Sequence, residues 1–255
     1  MQIGLQTFTV RKLMKTPGLL ERTFAKLSQL GVVNLELAVD YLSFPFNTGT
    51  AKLVAKAARE NGIAVRSCQI KYSTAAKDVP ATAAFMGELG AEFVVNSLID
   101  LKLLHKGEAG LGKYCSMLNV LGERLAKDGI RLAHHNHHYE FIRVGDKNAL
   151  EYLAQNSDVL FALDTYWIQR GGGNILTLLE ELRGRVPILH LRDYAMTKST
   201  LLGAGRDCEI GRGSIPFKAV LKTAEICGVQ YGMIEQNTKT PLTSIEVSLG
   251  GIIVD

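Results

Sequence analysis

The sequence predicts an α/β protein that forms one (β/α)8 barrel over residues 1–255. Short apolar runs alternate with segments of helical periodicity, and this strand-then-helix unit occurs eight times. No long polar linker interrupts the units, and eight units in 255 residues match the size of a single barrel. The glycine-rich dinucleotide fingerprint is absent after the first strand, which disfavours a Rossmann-type sheet. An open doubly wound sheet stays the alternative, because strand closure leaves no signal in a sequence.

Four strand–helix units are predicted in the first half of the chain. The first strand covers residues 2–8, and Pro17 opens a helix whose apolar residues are spaced three and four apart until Gly31 ends it. The helix at residues 111–125 has the clearest apolar stripe in the chain. The other strands of this half are predicted at residues 33–37, 65–70 and 93–96, and the other helices at residues 48–61 and 80–89.

Four more units are predicted in the second half. The fifth strand covers residues 129–133 and leads directly into a run of histidines. In a barrel of this type the carboxyl ends of the strands converge on one mouth, where active sites lie. The later strands are predicted at residues 159–163, 188–191 and 231–234, and the helices at residues 148–155, 175–182, 217–224 and 241–249.

Composition excludes several classes of function. The net charge is only +4, and no block of lysine and arginine indicates nucleic acid or an anionic membrane surface as a partner. No stretch approaches the roughly 18–20 continuous apolar residues of a membrane span. The four cysteines are widely spaced without a CxxC pair, and the first residues resemble a strand rather than a signal peptide. We therefore expect a cytoplasmic protein with reduced thiols.

A histidine run marks the most reactive part of the sequence. Residues 134–138 contain four of the six histidines, and Glu140 follows two positions later. Because alternate residues of a strand share a face, His135 and His137 are expected on the opposite side from His134. Imidazole and carboxylate are ligands that divalent transition metals prefer. A solvated, inert loop is the competing interpretation, but the run is internal and follows an apolar strand.

Four successive strands end beside a candidate metal ligand. Glu140 follows strand five, Asp164 ends strand six, His190 lies at the end of strand seven, and Glu235 ends strand eight. Each alone has an ordinary explanation as a helix cap, a core histidine or an ion-paired carboxylate. Their coincidence at one end of the barrel predicts a site for a divalent cation, because three clustered carboxylates would otherwise repel one another. The oxygen-rich ligand set favours Mn²⁺, with Mg²⁺, Co²⁺ or Zn²⁺ as alternatives.

Such a cation would hold a hydroxyl and a carbonyl oxygen of a sugar and stabilise the enediolate formed when the carbon-bound proton leaves. A carboxylate on each side of that carbon can act as base and acid. Glu140 and Glu235 are the predicted pair, because the shorter Asp164 is expected to be only a ligand.

Other residues are expected to line the substrate site. Trp167 would pack on the apolar face of a sugar, and Lys71 or Arg192 would bind a phosphate or carboxylate. The glycines at residues 211–213 indicate either a phosphate cradle or a tight turn. The full predicted substrate-binding set is His135, His137, Trp167, Lys71, Arg192, Glu36 and Asn96.

Several motifs resemble the xylose isomerase-like sugar phosphate isomerase/epimerase family, and the resemblance covers nearly the whole chain. These motifs are HHNHHYEF, LDTYW, HLRDY, EIGRGSIPF and IEQ, together with GLQTFTVR and LELA in the first two strands. The resemblance implies a TIM barrel with one divalent metal, held by the residues that match the family pattern, Glu140, Asp164, His190 and Glu235. In better-known branches the first glutamate lies on strand five itself, where this chain has His135-Asn136-His137. Either Glu140 or His137 is therefore the strand-five ligand.

The main functional hypothesis is a metal-dependent isomerase or epimerase of a small sugar, keto-sugar or sugar phosphate. A lyase of the inosose-dehydratase or 3-keto-glycoside type is the alternative, because it uses the same enediolate chemistry. A DNA-repair nuclease, which shares this barrel, is disfavoured by the mild charge and by the few histidines outside the run. A metal-free binding barrel is the third possibility, and a homodimer is a further expectation.

Overall fold

Eight parallel strands form a closed barrel in the computed structural model, which describes residues 1–196 and 205–253. The predicted single-domain (β/α)8 fold is confirmed. Each strand pairs with the next one along the chain, and the last strand pairs with the first in parallel register from Gln2↔Tyr231 to Leu5↔Ile234. The strands are β1 (Gln2–Gln6), β2 (Asn34–Ala38), β3 (Ala64–Ile70), β4 (Phe93–Asn96), β5 (Arg131–His135), β6 (Leu160–Asp164), β7 (Ile188–Leu191) and β8 (Tyr231–Ile234).

Helices connect the strands on the outside of the barrel. Most begin at a polar N-cap, as where the Asn47 and Asp78 side chains accept hydrogen bonds from backbone N–H groups of the first turn. Within residues 1–196 and 205–253, no helix is long and apolar enough to cross a membrane. The helices are α1 (Pro17–Gln29), α2 (Thr48–Glu60), α3 (Tyr72–Lys77), α4 (Val79–Leu89), α5 (Leu101–Leu104), α6 (Gly107–Ala126), α7 (Ala149–Asn156), α8 (Thr165–Arg170), α9 (Ile175–Glu181), α10 (Phe217–Ile226) and α11 (Pro241–Ile253).

The element boundaries differ from the prediction mainly at the carboxyl ends of the strands. β1 ends at Gln6 because its side chain accepts a hydrogen bond from the Phe8 N–H and a 3-10 helix, Thr7–Leu13, begins there. β5 extends to His135, since it still pairs there with β6. Elements too short to carry a periodic signal were not predicted: α3, α5, α8 and the hairpins Arg143–Val144 with Lys147–Asn148 and Asp193–Ala195 with Arg206–Cys208.

Successive side chains of a strand point to opposite faces of the sheet, so the apolar side chains of the strands belong to two separate clusters. One strand face joins the large cluster that packs under the helices, as Leu132 of β5 and Leu189 of β7 do. The opposite face fills the barrel interior. This interior cluster consists of Phe93, Val95, Ala133, Ala162, Ile188, Tyr231 and Met233. The next interior positions toward the carboxyl ends are polar, and these residues form the site described below.

Two of the three glycines after α8, Gly171 and Gly173, allow the Phe141 ring to pack against the backbone. A Cβ on Gly173 would lie 2.4 Å from the Phe141 ring, and one on Gly171 would lie equally close. We therefore expect Gly173→Ala to reduce the free energy of unfolding by about 1–3 kcal/mol through overpacking. Gly87→Ala in α4 is the matched control, because no side chain or loop of the described residues lies within 4 Å of its added methyl group. Urea denaturation should show the control unchanged or up to about 1 kcal/mol more stable, and equal effects would contradict this account.

Candidate active site at the carboxyl ends of the strands

Polar side chains from non-adjacent strands meet inside the mouth of the barrel. Glu36 of β2 contacts His190 of β7, and Gln6 of β1 donates a hydrogen bond to Gln69 of β3 at 2.7 Å. Neither pair belongs to neighbouring strands, so these side chains point into the interior. The interior polar set is Gln6, Glu36, Ser67, Gln69, His135, Asp164, His190 and Glu235.

His135, Asp164 and His190 form a possible metal-binding site. One ligand atom from each lies within 4.8 Å of the ligand atoms of the other two. All three side chains are buried, and Asp164 and His190 have no exposed surface. Asp164 Oδ1 accepts a hydrogen bond from the Trp167 N–H at 2.9 Å, whereas Oδ2 has no hydrogen-bond partner among residues 1–196 and 205–253. The carboxylate is thus fixed by the first turn of α8 with its second oxygen free.

His190 lies between two carboxylates. Its Nε2 is 2.8 Å from Glu36 Oε1 and its Nδ1 is 3.1 Å from Glu235 Oε2, yet neither contact has the angles of a hydrogen bond. His135 Nδ1 also lacks a hydrogen-bond partner within the part of the chain that the structure describes. Buried donors and acceptors are nearly always hydrogen-bonded in proteins, so several unpaired atoms at one place need an explanation. A divalent cation fits this donor set, because imidazole nitrogens and carboxylate oxygens are its usual ligands.

Burial and neighbouring charges together set the pKa values of the buried groups. Burial raises the pKa of Asp164 to about 7 despite the opposing influence of Arg192. Burial also disfavours the charged form of Glu235, but the neighbouring His190 and Arg192 outweigh it and lower the pKa to about 2. Burial lowers the pKa of His137 to about 4, so its imidazole is neutral at neutral pH. Burial alone would lower the pKa of His190, but the carboxylates of Glu36 and Glu235 outweigh it and raise that pKa. The metal-free site therefore contains an ionised Glu235 in contact with His190, and a neutral His137.

A buried guanidinium fixes the orientation of Glu235. Arg192 Nη1 contacts Glu235 Oε1 at 3.2 Å, while Nε and Nη2 donate to Asp207 Oδ2 at 3.0 and 2.8 Å. The guanidinium carbon also lies 4.6 Å from the centre of the Tyr166 ring and 5.2 Å from that of Trp167. Arg192 therefore holds one glutamate oxygen in place and leaves Oε2 directed at the histidine cluster.

The structure does not bring Glu140 to this cluster. Its Oε1 is 3.1 Å from His134 Nε2, and its Oε2 accepts a hydrogen bond from the His137 N–H at 2.9 Å. His134 has the strand parity opposite to His135, and its Nδ1 lies 3.3 Å from both Tyr114 Oη and Asn96 Nδ2. Glu140 thus turns back behind β5 because the short 3-10 helix His138–Phe141 reverses the chain.

Asn96 belongs to the same network behind β5. Its Nδ2 lies 2.6 Å from Tyr114 Oη and donates to the Leu98 carbonyl at 3.1 Å. On β4 the interior positions are Phe93 and Val95, so Asn96 has the outward parity. Neither Asn96 nor Glu140 lines the cavity at the mouth of the barrel.

A cavity of about 310 Å³ connects the cluster with the outside. Its walls include His135 and Glu235, and one side is aromatic, with the His137 and Trp167 rings 4.9 Å apart. The Lys71 side chain is exposed at the rim of the cavity. The backbone N–H of Lys71 donates a hydrogen bond to the Asp40 carboxylate at 2.8 Å. The lining residues are Phe8, Asp40, Tyr41, Gln69, Lys71, Ser97, Leu98, His135, His137, Trp167, Arg192, Glu235 and Asn237.

Sequence reasoning missed Ser67, Gln69 and Asp207. Ser67 Oγ donates to Glu36 Oε2 at 2.7 Å, and Gln69 lines the cavity. Both occupy the interior parity near the end of β3, so strand alternation could have identified them. Asp207 reaches Arg192 only because the hairpin after β7 folds back, and that return has no signal in the sequence.

The sequence matches a known protein family of the same architecture. The family model of the xylose isomerase-like TIM barrel matches residues 24–230. No curated protein matches the sequence.

Solved structures with the same fold include proteins that act on carbohydrates. A sugar phosphate isomerase/epimerase from Parabacteroides distasonis is 22% identical, with a TM-score of 0.73 over 98% of this chain and 92% of that chain. The 3-keto-D-glucoside 4-epimerase from E. coli is 16% identical, with a TM-score of 0.69 over 99% and 98% of the two chains. A probable 3-DHS dehydratase from Bacillus anthracis is 10% identical, with a TM-score of 0.74 over 98% of each chain. At these identities the likeness concerns the fold alone.

Proposed function

The chain belongs to the xylose isomerase-like TIM barrel family, and on this premise we propose that it is a divalent-metal-dependent isomerase or epimerase of a small carbohydrate. The observation that carries the proposal is the buried cluster of His135, Asp164 and His190, in which Asp164 Oδ2 and His135 Nδ1 have no hydrogen-bond partner among the described residues. This cluster opens into a cavity of about 310 Å³, at the small end of the range for ligand pockets.

His135, Asp164 and His190 would hold the cation, whereas Glu235, which the sequence also predicts as a ligand, is assigned to proton transfer in this proposal. In this assignment His135 replaces Glu140, whose two oxygens are already engaged behind β5. Mn²⁺ is the expected metal, and the second imidazole makes Zn²⁺ its main competitor. When bound, the cation would polarise a substrate carbonyl and stabilise the negative charge that develops on its oxygen.

Glu235 is the proposed general base. Its carboxylate is ionised at neutral pH, and Arg192 restrains Oε1, so Oε2, which lies 3.1 Å from His190 Nδ1, is the oxygen proposed to accept a proton from carbon. His137 also lines the cavity, and its neutral imidazole is proposed to hydrogen-bond a substrate hydroxyl group. Trp167 would pack on the apolar face of the sugar ring.

One observation favours a lyase of the inosose or 3-keto-glycoside type as a second candidate. Epimerisation by two carboxylates needs one on each side of the reacting carbon, and Glu140 faces away from the cavity. Elimination needs one base to remove the proton and an acid to protonate the departing hydroxyl group. Glu235 can fill both roles in turn, because the proton that it takes from carbon can pass to the departing hydroxyl group, which leaves as water.

Incubation of the Mn²⁺-loaded protein in D₂O with a panel of ketoses, inososes and 3-keto-glycosides tests the proposal. Deuterium at the carbon next to the carbonyl, without loss of water, is the expected result for an isomerase or epimerase. Loss of water or of the glycoside would assign the site to the lyase instead. No exchange and no elimination with any member of the panel would contradict both candidates.

A further inference from the structure

Two places in the sequence indicate phosphate binding, Arg192 and the glycine-containing turn at residues 211–213. Both contain groups of donors that converge on one point, as in anion sites. In the structure a carboxylate of the protein lies at each point of convergence.

The first carboxylate is Asp207. Its Oδ2 accepts hydrogen bonds from Arg192 Nε at 3.0 Å, from Arg192 Nη2 at 2.8 Å and from the Asn237 N–H at 2.8 Å. A guanidinium fork joined by a backbone amide is the arrangement that binds a phosphate oxygen. Because Arg192 Nη1 contacts Glu235 as well, the guanidinium is balanced by two carboxylates.

The second carboxylate is Asp193. Its Oδ2 accepts from the N–H groups of Gly211 and Gly213 at 3.0 and 2.8 Å. Its Oδ1 accepts from the N–H groups of Tyr194 and Ile215 at 2.7 and 3.1 Å. Four backbone donors thus surround this buried side chain, and a Cβ on Gly213 would lie 2.3 Å from Asp193 Oδ1. The turn is filled by the protein itself.

The other positively charged side chains near the mouth either donate hydrogen bonds within the protein or lie beside a carboxylate. Among the described residues, Lys71 is the other lysine or arginine lining the cavity, and Asp40 lines it beside Lys71. Arg11 donates to the Phe8 carbonyl at 2.6 Å and to Asn237 Oδ1 at 2.9 Å. The buried carboxylates of the interior would repel a dianion that entered the cavity.

We propose that the cavity selects an uncharged carbohydrate over its phosphate ester, because Asp207 occupies the donors of Arg192 and Asn237, two residues that line the cavity. This inference rests on the proposed function and specifies its substrate class. Asp207 is in this view a specificity residue, since it neutralises Arg192 and fixes it on Glu235.

Inorganic phosphate is the probe for the first test, with the thermal midpoint of the metal-free protein as the readout. Asp207→Ala frees three donors, and we expect saturating phosphate to raise its Tm by about 3–6 °C. At matched ionic strength, wild type and Asp146→Ala should show no rise. The latter is the control, because it removes the same charge from an exposed position. If Asp207→Ala does not fold, Asp207→Asn replaces it and should show a smaller rise.

The second test compares a ketose with its phosphate ester by deuterium uptake on the Mn²⁺-loaded wild type. We expect kcat/KM to be at least about tenfold higher for the free sugar. Higher kcat/KM for the ester, or wild-type stabilisation by phosphate equal to that of Asp207→Ala, would overturn the inference. If neither sugar exchanges, the proposed function fails, whereas the phosphate measurement still decides this inference.

Discussion

Glu235→Gln is expected to lower kcat for deuterium exchange at the substrate carbon by about 10³-fold. General acid–base catalysis typically contributes factors of about 10²–10⁴, and the amide removes the proton acceptor at Oε2. The side chain keeps its size, and the amide oxygen can still accept a hydrogen bond from Arg192. The protein should therefore fold and retain its bound metal, which atomic absorption after gel filtration can verify.

Glu140→Gln is the matched control for this experiment, because the sequence predicts both glutamates as acid–base residues. In the structure the Glu140 oxygens bind His134 and the His137 N–H, away from the cavity. We expect this variant to lose stability but to retain kcat within about tenfold of wild type. A larger loss of kcat in Glu140→Gln than in Glu235→Gln would return the catalytic role to Glu140.

Asp164→Asn is expected to abolish stabilisation by metal. A cation present at about 1,000 times its dissociation constant stabilises the folded state by about 4 kcal/mol, which corresponds to a Tm increase of about 10 °C for a protein of this size. Differential scanning calorimetry with and without Mn²⁺ should show this increase for wild type and less than about 2 °C for the variant. Asparagine can still accept the Trp167 N–H bond that begins α8.

The metal-free proteins provide the control and the pH dependence. Because the folded state raises the pKa of Asp164 to about 7, its contribution to stability is fully present below the unfolded value near 4 and is lost as the pH rises through 7. Above pH 7 the metal-free Asp164→Asn should therefore be at least as stable as metal-free wild type. A variant that unfolds without metal, or that gains as much Tm from Mn²⁺ as wild type, would contradict the assignment of Asp164 as a ligand.

The fold was predictable because strand–helix alternation is a local signal that repeats eight times. Site residues at strand ends were predictable by the same reasoning, and the structure places His190, Asp164 and Glu235 at the carboxyl ends of their strands. The structure places Asn96 on the outer face of β4, where Tyr114 is its partner. Phe93 and Val95 point into the barrel, and since alternate residues share a face, Asn96 is correctly assigned to the outer face.

The position of Glu140 and the contacts of Arg192 were not predictable. Glu140 lies after the strand, where alternation no longer applies, and its direction depends on the 3-10 helix His138–Phe141. Arg192 is neutralised by Asp207, which arrives on a hairpin fifteen positions later in the chain. Both outcomes depend on chain reversals that short-range patterns do not encode.

The most direct test of the central claim is an anomalous-diffraction map from a crystal of the protein loaded with Mn²⁺. The account predicts one strong peak about 2.0–2.3 Å from an imidazole nitrogen of His135, an imidazole nitrogen of His190 and Asp164 Oδ2. A peak ligated by Glu140, or no peak inside the barrel mouth, would contradict it.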